Sequence, residues 1–310
     1  MLLPQIIKSI TSITPNKSLN IIKLPILVTL IAIIHTNNSL AAAWLVGKNK
    51  QQLIIQNWNT RSNIYGNRYG GNDISAHIKA SSLSLFLEHG LTNRISIGIT
   101  SFGGIKQIYD ESAQNPNDQK TAIDFTELFT KINILKTDYV ALSTQATLAI
   151  PGNHNMYNPQ NTKPNNAFET RIMLGLGGGN GGLLSGIIGG DGSFINLEVA
   201  YRKNQKYLNY NEIRSEIDLG YKINDDTLKM LLIQYFRINK IYKDFNNPLI
   251  TPQQNGIQYN DINQILVSTL FDAGSNILVQ FGLFYEISSK YIGHSKEGNK
   301  AQGIILGMWF

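Results

Sequence analysis

"NEIRSEIDLGYK", Asn211 to Lys222, alternates along its length between two kinds of surface. Ile213, Ile217, Leu219 and Tyr221 fall on one face with Ser215, while Glu212, Arg214, Glu216, Asp218 and Lys222 fall on the other. A period of two is the signature of a β-strand whose faces meet different surroundings. Five charges of both signs on one face demand water or ionic partners. The other face demands an apolar medium.

The same period recurs along the chain. "YVALSTQATLAI" (Tyr139 to Ile150) sets Val140, Leu142, Ala146, Leu148 and Ile150 against Ser143, Gln145 and Thr147. "RISIGIT" (Arg94 to Thr100) sets Ile95, Ile97 and Ile99 against Ser96, Gly98 and Thr100. "NILVQFGLFYEIS" (Asn276 to Ser288) sets six apolar residues from Ile277 to Ile287 against Gln280, Gly282, Glu286 and Ser288. Twelve such segments are predicted, near 51–61, 76–88, 94–108, 122–135, 139–150, 167–177, 194–204, 211–223, 227–240, 261–271, 276–290 and 301–310. Alternation is weak in the first, second and tenth, so the pattern spans ten to fourteen strands, with twelve fitting best.

Short connections such as "KTD" (136–138) and "INDDT" (223–227) alternate with long polar ones such as "PGNHNMYNPQNTKPNN" and "DFNNPLITPQQNGIQYN". Short turns on one side and long loops on the other are the habit of a transmembrane up-and-down β-barrel of the outer membrane. A secreted β-sandwich also alternates along its strands, but has no reason to alternate its connections.

Both ends of the chain agree with a barrel. Lys8, Lys17 and Lys23 are the only charges of residues 1–43, and precede "LPILVTLIAII" (Leu24 to Ile34), a polar stretch and Ala41-Ala42-Ala43. This is the order of a secretory signal peptide, 1–43, followed by a barrel over 44–310. The apolar run is short for a membrane-spanning helix, which needs about 20 residues. Without the three lysines the balance of Lys+Arg over Asp+Glu falls from +6 to +3, which makes nucleic acid a poor partner. There is no cysteine, so disulfides and thiolate chemistry are excluded.

The chain closes on "GIILGMWF", where Ile304, Leu306, Met308 and Phe310 share a face opposite Gly303, Gly307 and Trp309. Termini fray unless tied down, and in lipid the last strand must pair with the first. An even strand count places both ends in the periplasm. The Met308-Trp309-Phe310 ending resembles the C-terminal assembly signal of outer-membrane proteins, although the family's second aromatic is replaced by Met308. The resemblance implies outer-membrane lipid as the surroundings and the barrel-assembly machinery as a partner during biogenesis.

"SLSLFLEHGLTNRISIGI" (Ser82 to Ile99), with "FINLEVAYR" (Phe194 to Arg202) and "IRSEIDLGYKI" after it, resembles a broad group of proteobacterial outer-membrane β-barrels. Some of these are connected with transport or phenol-degradation pathways. The resemblance implies the architecture and describes turns, with no chemistry attached.

Catalytic readings fare badly. "GLGGGNGG" (Gly175 to Gly182) contains G-x-G-x-x-G but lacks the βαβ context of a dinucleotide site. It stands where a short turn is expected, in a Gly-rich segment, 175–193, with no evident role. His77, His89, His154 and His294 show no His-x-Ser-Asn pattern of the outer-membrane phospholipases, and Ser295 beside His294 does not make a triad. Asp110 and Glu111 do not repeat at calcium-ligand spacing. No enzyme, metal or cofactor is expected.

If the apolar faces meet lipid, the opposite faces project Glu127, Lys131, Glu169, Arg171, Glu198, Arg202, Glu212, Arg214, Glu216, Asp218 and Lys222 inward. Segments ten to twelve add mostly Gln264, Ser268, Gln280 and glycines, with Glu286 near a strand end. One wall is charged with both signs and the opposite wall is polar and thin. Charges at membrane depth face a cavity or one another. Either the pore carries a transverse field and passes small polar solutes passively and with mild selectivity, or a salt-bridge network fills it. A barrel acting through its long external loops is the other functional class.

Overall fold

The computed structural model describes residues 43–67, 73–110, 118–152, 166–177, 192–204, 210–223, 226–242, 260–290 and 299–310. Residues 1–42 of the leader expected over 1–43, most of the long loops and residues 178–191 of the Gly-rich segment lie outside the described residues.

Twelve antiparallel strands close into one barrel in sequence order, with β12 against β1. They are β1 (Gln51–Asn67), β2 (Asp73–Gly90), β3 (Ile95–Asp110), β4 (Asp118–Lys136), β5 (Val140–Pro151), β6 (Ala167–Gly177), β7 (Phe194–Asn204), β8 (Tyr210–Lys222), β9 (Leu228–Tyr242), β10 (Asn260–Asp272), β11 (Leu278–Lys290) and β12 (Asn299–Trp309). Closure leaves no free sheet edge, so the ladder satisfies the backbone groups that lipid cannot.

The stretches 62–67 and 73–75, expected to be loop, extend β1 and β2 in continuous register from Gln51↔His89 to Asn67↔Asp73. Likewise β3 and β4 run on to the pair Ile108↔Asp118. Polar residues continue a strand where no apolar medium asks for alternation, because pairing uses only the backbone. Alternation therefore marks the band of the strand and not its full length.

β7 shows the faces plainly. Phe194, Asn196, Glu198, Ala200, Arg202 and Asn204 are buried, while Leu197, Val199, Tyr201 and Lys203 are exposed. Ile172, Val199, Leu283 and Ile134 are 57–62% exposed, an outward apolar surface suited to lipid. Exposed Tyr139, in the turn before β5, and outward Tyr221 lie toward the barrel end that holds the first residues of β1 and the last of β12. Tyr201, Phe168 and Tyr285 lie toward the other end. Two aromatic levels flanking an apolar band are the mark of a membrane-spanning barrel.

The seam is closed by ten Cα partners, from Ile54↔Trp309 to Asn63↔Lys300. Phe310 extends it with a reciprocal pair, its N–H donating to Leu53 O (2.9 Å) and its C=O accepting from Leu53 N–H (3.2 Å). Deleting Phe310 removes both bonds at the one place where closure joins the chain ends. The expected outcome is less of the compact, heat-modifiable form on gels of outer-membrane fractions. Wild-type levels after deletion would mean the terminal aromatic is incidental to assembly.

Candidate functional site

The inner wall from β4 to β8 carries a continuous ionic chain. Glu169 on β6, 2% exposed at its side chain, stands among three arginines. Arg171 Nη2 approaches it at 2.9 Å, Arg202 Nε at 3.1 Å and Arg214 Nη1 at 3.4 Å. The register explains the cluster, since Glu169 is the direct partner of Arg202, which in turn is the partner of Glu212.

Arg171 continues the chain to Glu198 on β7 (2.6 Å) and reaches Glu216 on β8 at 3.8 Å. Arg214 holds Glu212 on its own strand at 2.7 Å. Arg202 also pairs with Glu127 on β4, reaching past β5 and β6. At the level of Glu127 those two strands present only Ala149 and Ala167. Small residues there leave room for a guanidinium to cross.

Lys131 stands apart from this chain. It pairs with Glu88 of β2 at 2.8 Å, and Glu88 also accepts from Ser96 Oγ at 2.6 Å. Lys222 is exposed at the end of β8, where its backbone N–H donates to Ser193 Oγ. Asp218 accepts from Gln234 Nε2 at 3.0 Å and has no cationic partner among the described residues. Glu88 was open to sequence reading, because it follows Ser82, Ser84 and Phe86 at period two against Leu83, Leu85 and Leu87.

The opposite wall is less polar than expected. Gln280 and Ser268 do face inward and are bonded at 2.9 Å, and Gln280 also accepts from Gln56 and from Trp309 Nε1. Beside them, however, Leu266, Phe284 and Ile305 form a buried apolar cluster with Trp58. The Trp58 and Phe284 rings lie 5.4 Å apart. Phe284 follows the inward parity of Gln280 and Gly282, so an aromatic occupies a place the polar reading of that strand passed over.

A floor of apolar side chains lines the end at which β1 begins. Phe194, Met230, Leu232, Leu270 and Leu278 turn inward and pack with Trp44 and Trp309. Trp44 also packs with Ala43, Ala141 and Met173. It therefore bridges the wall at β5 and β6 to the wall at β7, β9, β10 and β11. In the full chain Ser143 Oγ and Asn133 Nδ2 donate to Ala43 O at 2.5 and 3.4 Å. These bonds go with the leader if it is cut after Ala43, which leaves Trp44 as the first residue of the strap before β1. A Cβ on Gly175 would run into the Trp44 ring. That glycine is thus a seat for the indole. Nothing in the local sequence of Trp44 foretells this, because the contact spans the barrel.

The sequence matches no protein-family model, and no curated protein matches it. Solved structures do match. The COG4313 outer membrane channel from Pseudomonas putida F1 overlays with a TM-score of 0.56 at 11% identity, over 89% of this chain and 99% of that one. The β domain of the Bordetella autotransporter BrkA gives 0.45 at 8% identity, over 84% and 98%. LpxR from Salmonella typhimurium gives 0.44 at 11% identity, over 84% and 99%. At such identities only the first overlay bears on the argument, and it bears on fold. This chain has the architecture of a twelve-stranded outer-membrane β-barrel.

Proposed function

We propose that this barrel is an outer-membrane channel for passive diffusion of small polar solutes, with both chain ends periplasmic after removal of the leader. The observation that carries this reading is the partial exposure of the inward charges. Side chains of Arg171, Arg214 and Glu216 are 19, 17 and 25% exposed although they point to the interior. That partial exposure supports the reading, because groups lining an aqueous path keep some contact with water. A lumen filled by ion pairs would leave them covered.

The charge balance gives the selectivity. Among the described residues the ion pairs of Glu127, Glu169, Glu198, Glu212 and Glu216 run to three arginines, Arg171, Arg202 and Arg214, and Asp218 has no ion pair. Glu88 and Lys131 neutralise each other, and Lys240, the strand partner of Glu212, adds one cation. The inner wall is therefore net acidic and favours cations. Refolded protein in planar bilayers is expected to give discrete current steps and a cation-directed reversal potential in a KCl gradient. An absence of steps would replace the channel with a barrel that acts through its external loops.

A further inference from the structure

Above the apolar floor the ionic chain ends in acids that its arginines do not balance. Glu198 and Glu216 are direct partners across β7 and β8, an arrangement of like charges that destabilises a sheet unless something bridges it. Arg171 supplies one bridge, close to Glu198 and more distant from Glu216. Two residues on, the next inward pair is Asn196↔Asp218. Asp218 has no cation among the described residues. Asn196 is 1% exposed, and neither its Oδ1 nor its Nδ2 makes a hydrogen bond. A buried amide without partners is uncommon in a folded protein, and here it stands beside an uncompensated carboxylate.

We infer that Asp218, Glu216 and Asn196 form a binding site for a primary ammonium group within the lumen. The charge is complementary. The chemistry is also, because an ammonium has three N–H donors and no acceptor, and the site offers two carboxylates and an amide oxygen. A hard metal ion fits less well, since no group of three or more Asp, Glu or His among the described residues is placed to hold one. Gln234 holds Asp218 in place through Oδ1. The floor below is apolar: Gly175, the partner of Asn196, carries the Trp44 ring, and Gly220 carries Phe194. An alkylammonium solute would thus find acceptors for its head and an apolar surface for its tail.

This inference deepens the channel reading, so binding and conduction are to be measured separately. Isothermal titration of the folded full chain in detergent, with propylammonium and with tetramethylammonium, tests the site directly. Propylammonium is expected to bind at one site. Tetramethylammonium carries the charge without N–H donors and is expected to bind roughly tenfold more weakly, the equivalent of one charge-assisted hydrogen bond. Asp218→Asn, checked for heat-modifiability, is expected to abolish the difference between the two.

Equal binding of both cations to the wild type, or none of either, would overturn the inference whatever the bilayer recordings give. Binding of propylammonium with no current in bilayers would sustain the site and remove the channel. Current without binding would do the reverse.

Discussion

Replacing Arg171 and Arg202 together by glutamine is expected to destabilise the barrel by about 3 kcal/mol, the lower end of the range for breaking buried ion pairs. Glu169 decides the sign. Its carboxylate is nearly inaccessible and would keep one guanidinium, that of Arg214, out of three. Glu127 and Glu198 would each lose their arginine. The lower end applies because Arg171 is 19% exposed, and lumenal water screens the acids left behind. The measurement is the temperature at which the compact form is lost on gels. Adding Glu169→Gln should restore much of it, because the buried carboxylate is the source of the cost. In bilayers the same double variant is expected to be more cation-selective than the wild type. Unchanged stability and unchanged selectivity together would mean that these side chains do not meet in the lumen.

Removing the indole at residue 44 acts at the other level. Trp44→Ala is expected to raise the single-channel conductance several-fold while leaving its cation preference in place. The ring is the piece of the floor that joins Met173 and Ala141 to Phe194 and its neighbours, so its loss removes the bridge across that end without touching the ionic chain. The direct cost in stability is within about 3–5 kcal/mol, the range for a Trp-to-Ala cavity, and is reduced because Trp44 is only partly buried. Gly175→Val should reproduce the conductance change from the opposite side, by pushing the ring off its seat. Conductance equal to that of the wild type in both variants would show that the strap does not limit passage.

The architecture was legible because lipid and water impose a period of two on every strand between them. Asn211 to Lys222 displays both demands at once, and its faces are those of β8. The strand extensions toward residues 67 and 110 were not legible, because above the apolar band pairing proceeds without any side-chain rule. Glu88 lay within reach of the same parity that found Glu198 and Arg202, and only its solitary position on β2 hid it.

Between bulges, the sequence by itself determined which residues share a face, since parity along a strand is local. At Phe102/Gly103, Asn133/Leu135 and Leu270/Phe271 the register shifts and that rule is interrupted. Which inward residues meet was decided by register and closure, both of which are tertiary. Glu127 meets Arg202 because Ala149 and Ala167 clear the way between them. Asn196 stands beside Asp218 because β7 and β8 pair in that register and no other. Trp44 finds Gly175 only when the strap before β1 folds back across a closed barrel, a contact between residues far apart in the chain that no periodicity encodes.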